Sequence, residues 1–199
     1  PPRDSQLIAG ASGDVHALWV DNTGKLSDAI SIGSVWSAAT TLAEAVMTLD
    51  VSTDNSGSLH LAYVRPLSTD ASPAGIYYRS AIGPSWSSSS LVFKSAYFRT
   101  IKLEEAHVSV AGNGRDQVVI AWDDPQLSQN LYARSIDGGR TWSEPQMIAS
   151  PQSGRTRRAQ VATAPNGDLL LMWQDTSLSG CGWIQRKSSD GGNTWSDPQ

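Results

Sequence analysis

The sequence predicts an all-β fold, a β-propeller of four-stranded antiparallel blades, and three observations carry that expectation. The dipeptide Trp-Ser occurs four times, at Trp36-Ser37, Trp86-Ser87, Trp142-Ser143 and Trp195-Ser196, with Trp spacings of 50, 56 and 53 residues. Ahead of each lies an apolar run ending in an aromatic residue: Trp19, Tyr63, Trp122 and Trp173. Each run follows a Gly-containing turn, such as Asn55-Ser56-Gly57 or Pro165-Asn166-Gly167. Repeats of roughly forty to fifty residues that hold several short strands are the mark of propeller blades. An immunoglobulin-like sandwich also fits the length, but it gives no reason for a fourfold Trp-Ser.

The elements follow in order within each repeat. An apolar strand leads into the Gly turn, and the aromatic-ended run returns as the second strand. The third strand reads Ile76-Tyr77-Tyr78-Arg79-Ser80, Leu131-Tyr132-Ala133-Arg134-Ser135 and Trp183-Ile184-Gln185-Arg186-Lys187 in repeats two to four. A tight turn and Trp-Ser open the outer stretch. Runs of four to six residues rich in Val, Ile, Tyr and Trp between Gly/Asn/Ser turns read as strands. The repeats divide one domain into residues 5–45, 46–98, 99–151 and 152–199.

Composition narrows the function. Fifteen Lys+Arg against 19 Asp+Glu give a formal charge of −4, too little positive charge for nucleic acid. No apolar run reaches the roughly 18 residues of a membrane span. Eight Trp and 39% hydrophobic residues argue against disorder. The lone Cys181 excludes an intrachain disulfide and lacks a neighbouring base, and His16, His60 and His107 have no metal-ligand spacing. No metal or cofactor is expected. His16 and His60, at equivalent positions in their runs, read as packing. Opening on Pro1-Pro2-Arg3, with no initiator Met or apolar leader, the chain reads as a processed or excised product.

Ser135-Ile136-Asp137-Gly138-Gly139-Arg140-Thr141-Trp142 and Ser188-Ser189-Asp190-Gly191-Gly192-Asn193-Thr194-Trp195 resemble the Asp box of sialidases and other BNR-repeat proteins. Each is followed by Ser-acid-Pro-Gln, and the first two repeats carry degenerate copies without the Asp. Asp137 and Asp190 read as turn-forming. The resemblance implies a six-bladed ring, of which this chain supplies about four blades, with another chain completing the propeller or the rest missing. It also implies a sialidase-like glycoside hydrolase, or part of one, acting on extracellular glycans. The alternative is a non-catalytic BNR propeller that binds glycan or protein. A low-charge, Ser-rich chain fits an extracellular or cell-surface location.

Alternating strand directions sort the loops onto two faces. Residues just before first strands and just after aromatic-ended strands share the face that opens onto the channel. That face collects Asp21, Asn22, Arg65, Glu104, Glu105, Asp123, Asp124, Arg157, Arg158, Gln174 and Asp175. Carboxylates beside arginines suit hydrolysis or binding of an acidic sugar. Sialidases hold a sugar carboxylate with three arginines, and one family arginine opens a blade at the place of Arg157-Arg158. Counting back from Pro165 without gaps selects Arg157; a one-residue shift selects Arg158. The candidate catalytic set is Arg157, Arg158, Asp175, Asp123 and Asp124, with a carbohydrate ligand on the channel face.

Overall fold

The computed structural model describes residues 2–11, 13–67, 72–124, 126–148, 156–176 and 182–199. Cys181, Arg155 and most of the loop after Asp175 lie outside them. The strands form four antiparallel sheets in chain order. The first holds β1 (Asp4–Ala9), β2 (Val15–Val20) and β3 (Leu26–Ile32), with β4 (Val35–Trp36) and β5 (Thr40–Ala43) both on the outer edge of β3. The second repeats this with β6 (Leu49–Thr53), β7 (Leu59–Arg65), β8 (Gly75–Ile82), β9 (Ser85–Trp86) and β10 (Ser90–Lys94). The third has β11 (Val108–Gly112), β12 (Val118–Asp124), β13 (Gln129–Ser135) and β14 (Gln146–Met147). The fourth has β15 (Thr156–Thr163), β16 (Leu169–Asp175) and β17 (Gly182–Ser188), and Gln199 exchanges backbone hydrogen bonds with Gln185 beside β17.

The first strands β1, β6, β11 and β15 stand side by side, and the later strands of each sheet fan outward. This is the propeller arrangement. Side chains stitch the inner strands together. Asp4 accepts from Leu49 N, Gln6 accepts from Val51 N, Asp50 accepts from Val110 N, and Ser109 accepts from Val161 N.

Three apolar cores fill the three junctions between successive sheets. Successive strand side chains point to opposite faces, so a strand between two junctions must be apolar on both. That is why β7, apart from His60 and the terminal Arg65, and β12 as far as Trp122 are apolar. In β12, Val118, Ile120 and Trp122 face the second sheet while Val119 and Ala121 face the fourth. The terminal sheets alternate instead, with Leu7 and Leu170 exposed on their outer faces.

The Trp-Ser repeat acquires a specific meaning. Each serine accepts from a third-strand N–H through Oγ and returns its own N–H to the same residue's carbonyl. The partners are Ile30, Ser80, Arg134 and Lys187 for Ser37, Ser87, Ser143 and Ser196. These partners make Ser80 the equivalent of Arg134, one residue off the sequence alignment of Ser80 with Ser135. Ser143→Ala leaves the Arg134 N–H without its side-chain acceptor, so a loss of about 1 kcal/mol is expected in urea denaturation. An unchanged midpoint would remove that role.

Each tryptophan reaches backward. Trp86 packs edge-on against His16, Trp142 against Tyr78 and Trp195 against Tyr132, in every case in the preceding sheet. Trp36, in the first sheet, is 50% exposed. In the two full turn motifs, bonds from Thr141 and Thr194 hold Asp137 and Asp190 well below the usual carboxylate range. Gly139, at φ 86°, lies where a Cβ would strike the Tyr78 ring. The first two repeats replace this turn with two-residue hairpins, Gly33-Ser34 and Gly83-Pro84, with positive φ at the glycine.

The histidines are more than packing. His16 is 0% exposed, with Asp14 at 3.2 Å from Nε2 and Asp28 at 3.0 Å from Nδ1. Trp86 of the second sheet donates its indole N–H to the same Asp28, at 2.8 Å. His60 sits between Asp54, at 3.0 Å, and the Tyr78 hydroxyl, at 2.7 Å.

Candidate functional site

A groove of about 690 Å³ opens at the junction of the third and fourth sheets on the channel face. That volume lies in the range of small-ligand sites. Six residues singled out from the sequence line it: Glu104, Glu105, Asp123, Asp124, Arg157 and Arg158. The short 3-10 helix Leu103–Glu105 supplies the two glutamates, β12 the two aspartates, and β15 the two arginines.

The carboxylates differ in what they do. Glu105 accepts from the Lys102 N–H and closes its own helical turn. Asp124, buried, accepts from the backbone N–H groups of Gln126 and Leu127. Asp123 accepts from Arg158 N at 2.7 Å, from Ala159 N at 3.1 Å and from the Asn130 side-chain amide. Burial pushes the Asp123 carboxyl above the usual carboxylate range against these donors. With those bonds, Asp123 and Asp124 act in the structure as acceptors of backbone N–H groups.

Arg157 and Arg158 are exposed, and neither takes part in an ion pair among the described residues. No third arginine among the described residues lines the groove. Asp175, almost wholly buried at the end of β16, pairs in register with Thr156 and stands outside the groove lining. Gln174 pairs with Arg157 and Trp183. The remaining residues of the face are spent locally. Asp21 caps its own turn through Thr23 and Lys25, the Asn22 carbonyl accepts from Arg3, and Arg65 donates to the Glu44 carbonyl.

The lining residues that the sequence reading did not place in the site include His107, Met172 and Trp183. His107 donates from Nε2 to the Ala159 carbonyl at 2.8 Å, which places the proton of its neutral form on that nitrogen. Trp183 is 49% exposed, a large apolar surface presented to solvent beside charged groups. Its only sequence signal was an aromatic at the start of a third strand.

No family model and no curated sequence matches the chain. Solved structures do. BP39L lectin from Burkholderia pseudomallei superposes with a TM-score of 0.67 at 13% identity, over 98% of this chain and 54% of that one. The six-bladed fucose-recognising lectin of Aleuria aurantia gives 0.59 at 14%, over 92% and 55%. Penicillium chrysogenum α-L-arabinanase gives 0.57 at 14%, over 94% and 62%. The chain spans little more than half the length of each, and the likeness establishes the β-propeller fold.

Proposed function

We propose that this chain is a carbohydrate-binding propeller and that a saccharide occupies the groove between the third and fourth sheets. One observation carries the reading: an exposed Trp183 shares a groove with two exposed arginines and two glutamates. Sugar rings offer apolar faces for an indole and hydroxyls for charged hydrogen-bonding groups. The propeller neighbours include lectins, an arabinanase and an ulvan lyase, which favours a glycan ligand; the low-charge, Ser-rich composition favours an extracellular or cell-surface location. The uncovered faces at Leu7 and Leu170 favour a ring closed by further blades, whether from the same protein or from another chain.

A sialidase-like hydrolase is the second reading, favoured by the unpaired Arg157 and Arg158 beside Glu104 and Glu105. Binding stands ahead of it because Asp123 and Asp124 are taken up by backbone donors. The test is a glycan array followed by titration of the retained saccharide, with a fluorogenic α-sialoside alongside. Saccharide binding that weakens about tenfold in Trp183→Ala, as loss of roughly 1.4 kcal/mol of ring contact would give, supports binding. Sialoside turnover that disappears in Arg157→Ala or Arg158→Ala selects the hydrolase instead. Retention of no saccharide and no turnover rejects both.

A further inference from the structure

We propose that a second binding site, for a neutral saccharide, lies between the second and third sheets on the face of the Gly turns, away from the groove. It is a cleft of about 410 Å³, within the range of small-ligand sites. It shares no lining residue with the groove.

The next junction shows why a cleft opens here. The turn between first and second strands closes alike in both sheets: Asp54 N bonds to the Ser58 carbonyl in the second, and Asn113 N to the Gln117 carbonyl in the third. Ser58 and Gln117 therefore hold the same place in the repeat. Between the third and fourth sheets, Gly191 sits on the Gln117 side chain, where an added Cβ would strike it. Between the second and third sheets the matching glycine is Gly138. Around its Cβ position only Asp116 Oδ1 lies within 4 Å, at 3.5 Å. Packed junctions hold few voids, and this one exists because a serine stands where the following repeat carries a glutamine. The floor of the cleft is fixed. Buried His60 spends both ring nitrogens on Asp54 and the Tyr78 hydroxyl.

The rim, by contrast, is polar and unspent. The Asp116 carboxylate and the Ser88 hydroxyl have no hydrogen-bond or ion-pair partner among the described residues, and Arg140 gives only one long bond, 3.4 Å, to the Asp137 carbonyl. A carboxylate accepts two O–H bonds side by side, and a guanidinium gives two parallel N–H bonds. Together they read neighbouring hydroxyls, one pair as donors and the other as acceptors, and a sugar ring carries such pairs. Ile82, 80% exposed on the same rim, offers apolar surface to the C–H face of the ring. The charges of Asp116 and Arg140 cancel. Bonds from Thr141 keep Asp137 ionised beside them, so an anionic sugar would meet two carboxylates and a neutral one meets none of that repulsion.

The experiment titrates the whole chain with methyl α-mannoside, methyl β-galactoside and methyl α-fucoside, read by calorimetry beside thermal unfolding. Wild type and Trp183→Ala, which weakens the groove, are both expected to bind at least one probe. In the Trp183→Ala chain, Ser58→Gln supplies the side chain that fills the next junction and should abolish binding without lowering Tm. Asp116 has φ 58°, which asparagine tolerates, so Asp116→Asn should keep the fold. It should weaken the probe at least about tenfold, as loss of a charge-assisted hydrogen bond would, and Arg140→Gln should do the same. Undiminished binding in Ser58→Gln overturns the proposal, as does Asp116→Asn that lowers Tm without weakening the probe. Should Ser58→Gln not fold, undiminished binding in either Asp116→Asn or Arg140→Gln overturns it. Saccharide binding by wild type that vanishes in Trp183→Ala belongs to the groove alone, and the second site falls while the groove reading stands. Binding that ignores Trp183→Ala but is lost in the cleft variants supports the second site and removes the groove. Binding of no saccharide by any chain overturns both.

Discussion

Trp142→Ala is expected to destabilise the chain by about 3 kcal/mol, the lower end for removing a core aromatic, whereas Trp36→Ala should cost less than about 1 kcal/mol. Both residues belong to a Trp-Ser pair, and both follow a tight turn between outer strands. They differ in what lies behind them. Trp142 packs into the apolar core between the second and third sheets, edge-on to Tyr78 at 5.2 Å between ring centroids. Its indole N–H has no hydrogen-bond partner, so its contribution is packing between sheets. Trp36 belongs to the first sheet and is half exposed. Urea denaturation of the two variants separates a motif that stabilises its own hairpin from one that joins sheets. Equal losses would mean that the indole acts within its own repeat, and the backward-reaching account would fail.

The second large effect centres on His16. Carboxylates only accept hydrogen bonds, so an imidazole with one at each nitrogen bonds to both only when both nitrogens carry protons. Burial alone would lower the His16 pKa. The bonds and charges of Asp28 and Asp14 outweigh it and hold the group above its ordinary value of 6.5. Arg79, which reaches the first sheet from β8, spends its guanidinium on the Leu42 and Ser87 carbonyls. A raised folded pKa means that the native state binds the proton more tightly than the unfolded chain. The stabilisation is therefore complete below pH 6.5 and lost as pH rises through the folded value. His16→Ala leaves two buried carboxylates facing each other without their cation, and about 3–5 kcal/mol of stability should go. His16→Phe fills the space and removes the charge, separating the two contributions. The measurement is urea denaturation from pH 6 to pH 9. Wild type should weaken along that range and both variants should respond less. A wild-type stability that rises with pH would mean that His16 is buried neutral.

The carboxylates that anchor turns act in the opposite direction. Asp54 pays a desolvation cost, but His60 and the Ser56 hydroxyl outweigh it and hold its pKa well below the usual range. Asp137 and Asp190 are held low too. Their contribution is present above about pH 3.8, the unfolded value, and is lost as pH falls toward the folded one. His16 erodes stability on the alkaline side and the turn aspartates erode it on the acid side.

Much of the fold was legible because its signals are local. A strand buried on both faces is apolar almost throughout, and residues 118–122, with 59–63 apart from His60, carry that directly. A turn built from an Asp with its Ser and Thr partners is complete within eight residues, so the motifs at 135–142 and 188–195 could be read as turns. The first repeat's third strand, β3, was less visible. Its sequence, Leu-Ser-Asp-Ala-Ile-Ser-Ile, carries polar residues because Asp28 faces His16 and Trp86 rather than an apolar core. The candidate site was half legible. Strand direction alone brought Glu104, Glu105, Asp123, Asp124, Arg157 and Arg158 to one face, and the structure gathers them in one groove. Whether a carboxylate is free or bonded to backbone is not a property of strand direction, and Asp123 and Asp124 are bonded.

The choice between Arg157 and Arg158 marks the boundary most clearly. The sequence by itself determined the repeat, the strand order, the turn aspartates and the face on which the charges meet, because each follows from side-chain periodicity or from bonds made within a few residues. The tertiary structure decided three things. It set the sheet on which each Trp seats, the second proton on His16, and the bulge in β15, where Arg158 and Ala159 together oppose Trp173. These depend on partners in other sheets, with Asp123 and Arg158 35 positions apart and Trp86 and Asp28 58 apart. A bulge slips the register by one residue without leaving a mark in composition or period, so only the distant carboxylate that holds it could reveal it.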